Sequence, residues 1–143
     1  MKNSLPVPPP ESVIFEDERI YVCSAIYPIT KGHIVVVWKN DVEDIHDLND
    51  EEYDFLMDVV DVTRDVQLKV LGIEKSYLLY MDEAKHVHWH LIPRYNEKGF
   101  NIFFHNPVKE ENFPLVPEMR KVFDWRFSKK FITLNQSDTS PLT

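Results

Sequence analysis

Apolar and polar residues follow two periods along this chain, and the period changes at turn residues. Residues 12–15, 20–27 and 33–39 are short runs rich in Val, Ile and aromatics, separated by charged or Pro/Gly-containing turns. They predict three successive strands. Gly32 sits in the turn leading into the third run, where a positive φ is expected. The period then lengthens. Phe55, Leu56, Val59, Val62, Val66 and Val70 fall on one side at 100° per residue, and Asp54, Asp58, Asp61 and Asp65 on the other, which predicts a helix over 50–71. Asn49 and Glu52 supply a capping box and Gly72 a stop. Residues 75–81 and 85–93 predict two more strands, the second alternating, and Pro117 with Met119, Val122 and Phe123 predicts a short helix over 117–125. The reading is a β-rich α+β domain with one long helix.

The ends carry no such pattern. Four of the first ten residues are proline, so residues 1–10 read as an extended arm, and the polar, Ser/Thr-rich residues 133–143 as a mobile tail. A folded unit over 11–132 remains, in keeping with one domain for 143 residues.

Charge removes some functions. The net charge of -8 disfavours a broad basic face for nucleic acid or anionic membrane. Residues 41–65 alone hold eleven acids and one base, so the acidity belongs to the long helix and its approach, and the rest of the chain stands at +2. A small polyphosphate is therefore not barred. The acidic stripe itself reads as a solvated helix face. The three glycines, Gly32, Gly72 and Gly99, are too far apart for a P-loop or a dinucleotide-binding loop. Cys23 lies in a strand-like stretch without an activating base, as expected of a buried thiol in a reducing compartment. No apolar run approaches the roughly 20 residues of a membrane span, and the cytoplasm is the expected location.

Three of the six histidines stand in His86-Val87-His88-Trp89-His90. On a regular strand the three imidazoles share one face, with Val87, Trp89 and Leu91 on the other. Two chemistries compete for such a ladder. One zinc could take two rungs with His33 or His105, but the outer rungs are roughly 13 Å apart along a strand, far beyond bonds of about 2.0 Å. An extended anion fits better, because each imidazole can donate to phosphate and one can attack phosphorus as a neutral nucleophile.

The run His86 to Ile92, followed by Pro93 and Arg94, resembles the signature of the histidine triad (HIT) superfamily of nucleotide hydrolases and transferases. Gly32-His33-Ile34-Val35-Val36-Val37 resembles that family's Gly-His strand, and element order agrees from about residue 12 to 104. The resemblance implies a HIT-like fold, an antiparallel five-stranded sheet with one long helix and a short C-terminal helix. It also implies roles. His88 would attack the α-phosphorus and form a nucleotidyl-histidine that water cleaves, His90 would bond the phosphate, the His86 carbonyl would orient His88, and His33 would complete the cluster. It implies no metal held by the protein, a divalent cation such as magnesium accompanying a polyphosphate substrate, and a homodimer joined through the long helix and a strand. Family members bind the base in an apolar cleft of the first strands, which makes Ile14, Phe15, Cys23 and Val35 candidate contacts.

His90 stands where related transferases and phosphorylases carry glutamine, which favours a hydrolase of dinucleoside polyphosphates or adenylylated small compounds. Two departures qualify the substrate. Met81-Asp82-Glu83-Ala84-Lys85 replaces a Gly-Gln-Ser/Thr segment, with Lys85 a candidate phosphate contact, and Ala25 replaces a ribose-binding asparagine of some relatives. The alternatives are a nucleotide sensor with little turnover, a nucleotidyltransferase of the same superfamily, and a zinc protein using His86, His88 and His33.

Overall fold

The long helix forms where its signals put it. In the computed structural model, which describes residues 7–131, α1 spans Asp50–Leu71. The Asn49 side chain accepts from the Glu52 N–H while Glu52 accepts from the Asn49 N–H, and Gly72 closes the helix in the left-handed region. Residues 1–6 of the expected arm, and the expected tail, lie outside the described residues.

Five strands precede and follow α1: β1 (Val13–Glu16), β2 (Ile20–Ser24), β3 (Ile34–Trp38), β4 (Lys75–Tyr80) and β5 (His88–Arg94). They form one antiparallel sheet in the order β1-β2-β3-β5-β4. The alternation of β2 and β3 sends Ile20, Val22, Ile34, Val36 and Trp38 into the core under α1. Trp89 and Leu91 of β5 join that face, Trp89 with its ring 5.2 Å from that of Tyr80. The opposite face of β2, β3 and β5 is thereby left for the histidines.

The C-terminal helix is longer than its sequence pattern predicts. α2 spans Val116–Phe131 rather than 117–125, because Phe127 and Phe131 extend the apolar row that Phe123 begins. Phe15 packs on Phe123 and Phe127, at 4.7 and 4.8 Å between ring centroids. α2 also answers the acidic stripe of α1, which is therefore not simply solvated. Arg126 pairs with Asp65 at 2.5 Å, and Lys130 with Asp61 at 2.9 Å and Asp58 at 3.7 Å.

The first and last strands depart from the expected registers. A bulge between Val13 and Phe15 breaks the alternation of β1, so Ile14 and Phe15 both turn to the helix side. At the other end, Lys85 takes φ +57 after the 3-10 turn Asp82–Ala84, and β5 starts at His88 instead of residue 85. His86 consequently stands before the strand.

Candidate active site

A cavity of about 610 Å³ lies on the open face of the sheet. Its floor follows from register. His90 is opposite Val35, which is opposite Cys23, and His88 is opposite Val37, which is opposite Tyr21. All six side chains line the cavity, together with Ser24, His33, Lys39 and residues 25–27 after β2, and Val7 and Pro8 form part of its wall.

Backbone groups fix the proton on each imidazole. The Ile29 N–H donates to His33 Nδ1 at 3.0 Å, so His33 carries its proton on Nε2. That N–H donates to His90 Nδ1 at 2.9 Å, which puts the His90 proton on Nε2. His88 Nδ1 lies 2.7 Å from the His86 carbonyl, and a carbonyl only accepts, so in the neutral ring Nδ1 holds the proton and Nε2 keeps its lone pair. The cavity thus contains one imidazole lone pair, on His88, beside one imidazole N–H, on His90, with their rings 5.1 Å apart.

Electrostatics hold the two donors neutral. Burial, and then the neighbouring His90, push His33 down to about 3, while burial and then His88 push His90 down to about 4. Burial pushes the Cys23 thiol up to about 12, and its S–H faces the Val35 carbonyl at 3.7 Å. A thiol so far from ionisation is not a nucleophile near pH 7.

The structure separates the remaining sequence-selected residues. The ladder of three rings becomes two: the buried His86 ring leaves the cavity face, its Nε2–H donating to the Trp38 carbonyl at 2.6 Å and its Nδ1 lying 3.9 Å from Asp41. Only its carbonyl serves the site. Ile14 belongs to the core, Phe15 packs on α2 and Lys85 is exposed, so none of the three lines the cavity. Cys23, Val35 and Ala25 do. His105 stands elsewhere, paired with Glu97 at 2.6 Å. A zinc site of His86, His88 and His33 finds no support in this geometry, since among the described residues no three His, Cys, Asp or Glu side chains converge as metal ligands.

Gln67 and Lys39 were not selected from the sequence. The buried Gln67 amide donates to the carbonyls of Gly32 and Leu91, both at 2.9 Å, and accepts from Ser76 Oγ at 2.7 Å. It ties α1 to the residues flanking His33 and His90. A polar residue within the apolar stripe of α1 was the available signal.

A five-stranded antiparallel sheet with helices on one face and a histidine-lined cavity on the other is the architecture of a histidine triad protein. The chain belongs to the HIT domain family, which matches it over residues 8–97. An uncharacterized HIT-like protein of Methanocaldococcus jannaschii is 34% identical over 96 residues, covering 63% of this chain and 74% of its own. The adenosine 5′-monophosphoramidase of Saccharomyces cerevisiae is 26% identical over 118 residues, 78% of this chain and 72% of that protein. Among solved structures, a hypothetical histidine triad nucleotide-binding protein from Sulfolobus tokodaii superposes with a TM-score of 0.65 at 20% identity, over 88% of this chain and 91% of that one. That last likeness bears on the fold alone.

Proposed function

We propose that the chain is a nucleotide hydrolase that works through a nucleotidyl-histidine on His88. One observation carries the reading: the His86 carbonyl holds the proton of His88 on Nδ1, leaving the Nε2 lone pair in a cavity where His90 offers an N–H. In the first step that lone pair forms the N–P bond as the bond from phosphorus to the leaving group breaks, the leaving group taking the bonding pair and, where it is an amine, a proton from solvent. Water then attacks phosphorus and releases a proton to solvent, the N–P bond breaks and its electron pair returns to His88. His90 donates to a phosphate oxygen as charge gathers there. The activity named for two relatives, adenosine 5′-monophosphoramidase, supports adding nucleoside phosphoramidates to the dinucleoside polyphosphates and adenylylated small compounds expected as substrates.

The test is trapping. Incubation with a nucleotide labelled at the α-phosphate, followed by an alkaline quench, is expected to leave an acid-labile label on the protein that His88→Ala loses. A labelled His88→Ala protein, or turnover without His88, refutes the mechanism. Nucleotide binding without label or turnover across a broad panel establishes the sensor alternative. One observation favours that alternative: among the described residues, none of 81–85 lines the cavity, so that segment offers no contact to a leaving group there.

The same reading includes a homodimer in the cytoplasm, with no resident metal and with magnesium arriving on polyphosphate substrates. The sheet order supports the assembly, since β4 ends the sheet and its outer edge has no strand partner among the described residues. Sedimentation at low micromolar concentration is expected to show a species of twice 17.0 kDa.

A further inference from the structure

The cavity is graded along its strands. From the row of Cys23, Val35 and His90 it continues toward Ala25, Ile26 and Tyr27. In the opposite direction it passes the row of Tyr21, Val37 and His88 and reaches Lys39. Lys39 is the one Lys or Arg among the described lining residues. Its ammonium is 2.6 Å from the Glu16 carboxylate and 4.5 Å from the centroid of the Tyr21 ring. The Lys39 and Glu16 side chains are 21% and 46% exposed, so water and salt weaken this pair, and the flexible lysine stem can turn from one anion to another.

A substrate phosphorus attacked by His88 would lie between these two ends. With its nucleoside on the apolar surface around Cys23, Ala25 and Ile26, the Lys39 end would be left for the leaving group. In a chain with a net charge of -8, one cation inside the cavity is the feature that selects charge there.

We infer that Lys39 is an anion subsite for the leaving group. The cavity is matched to nucleotidyl compounds whose leaving group carries a further negative charge, a second phosphate or a carboxylate, and Glu16 competes with that group for the ammonium. This inference rests on the hydrolase reading above and names its substrate class.

Two adenosine phosphoramidates with closely matched P–N bonds test it, one made from propylamine and one from 3-aminopropanoate. The wild-type chain is expected to favour the carboxylate compound in kcat/KM by about tenfold, as charge-assisted hydrogen bonds do. Lys39→Met is expected to remove that preference, and Glu16→Gln to raise it severalfold. A merely structural ion pair would move the ratio the same way in both variants, so opposite movement is the signature. Absence of a wild-type preference, its survival in Lys39→Met, or parallel movement in the two variants overturns the inference. If neither compound is turned over, simple phosphoramidates are not substrates, the hydrolase reading is decided by the broad panel above, and equilibrium binding decides the subsite. ADP should then bind about tenfold more tightly than AMP, and Lys39→Met should equalise them; equal wild-type affinities, or an advantage that persists in Lys39→Met, overturn it.

Discussion

Replacing Gln67 with methionine keeps the length of a fully buried side chain and removes its amide. The carbonyls of Gly32 and Leu91 lose a donor each, and the Ser76 hydroxyl loses its acceptor. A buried polar group left without a partner costs about 1–3 kcal/mol. The hydroxyl can rotate and a carbonyl has a second lone pair, so the lower end applies to each, and the total is about 2–4 kcal/mol. Against a domain stability of about 5–15 kcal/mol this is a large fraction. Ser76→Ala withdraws one hydrogen bond from the same amide and should cost only about 1 kcal/mol. Urea denaturation of the wild type and both variants measures these differences as midpoint shifts at constant slope. The reasoning also carries a functional consequence: Gly32 precedes His33 and Leu91 follows His90, so Gln67→Met should lower kcat/KM at a urea-free temperature where it stays folded. A loss below about 1 kcal/mol, or one no larger than that of Ser76→Ala, would show that the two carbonyls find other partners.

Three further outcomes follow from the same groups. His33 and His90 are held neutral in the folded chain to about 3 and about 4, by burial first and neighbouring imidazoles second, but titrate near 6.5 when unfolded. The unfolded chain therefore binds protons between about pH 6.5 and 4 that the folded chain refuses, so stability is full above that window and falls as pH drops through it. The loss is up to about 1.4 kcal/mol per pH unit for His33, with less from the more open His90; equal pH slopes for the wild type and His33→Gln in urea titrations would refute it. Cys23, with its thiol pushed up to about 12, should resist iodoacetamide at pH 8 in the native chain and react readily in urea, and comparable rates in both states would contradict its burial. Gly32→Ala should destabilise more than Gly72→Ala, because a Cβ at Gly32 meets Leu71 at 2.5 Å and φ is +87, whereas Gly72 at φ +66 has open space; thermal denaturation showing the reverse order would refute it.

Much of this molecule was legible where its signals are local. The capping box of Asn49 and Glu52, the apolar stripe of α1 and the turn at Gly32 each depend on neighbours within a few residues, and each stands where the sequence places it. The errors arise where distant groups decide. The bulge in β1 turns Ile14 and Phe15 to the helix side, where Phe123 and Phe127 of α2 receive Phe15, and nothing within residues 12–15 announces that partner. Gln67 looks like a break in an apolar stripe until residues 32, 76 and 91 arrive around it.

His86 shows why a misplaced ring need not misplace the chemistry. Strand alternation puts three imidazoles on one face only if the chain is extended from residue 85 onward, and lysine is not a residue whose presence signals φ +57. The turn at Lys85 sends the His86 ring to the Trp38 carbonyl at the end of β3, while the Val87 carbonyl accepts from the Trp38 N–H. Those bonds pin the entrance of β5 against β3. The His86 carbonyl, lying between the pinned ring and β5, therefore meets His88 Nδ1 from a fixed position. The first histidine of the motif thus acts on the site through its backbone, and its side chain fixes where that backbone stands. A glutamine that donates to the Trp38 carbonyl should preserve more of the His88 geometry than an alanine, so His86→Gln is expected to retain more kcat/KM than His86→Ala. Equal losses in the two would mean that the ring's bond to β3 does not position the carbonyl.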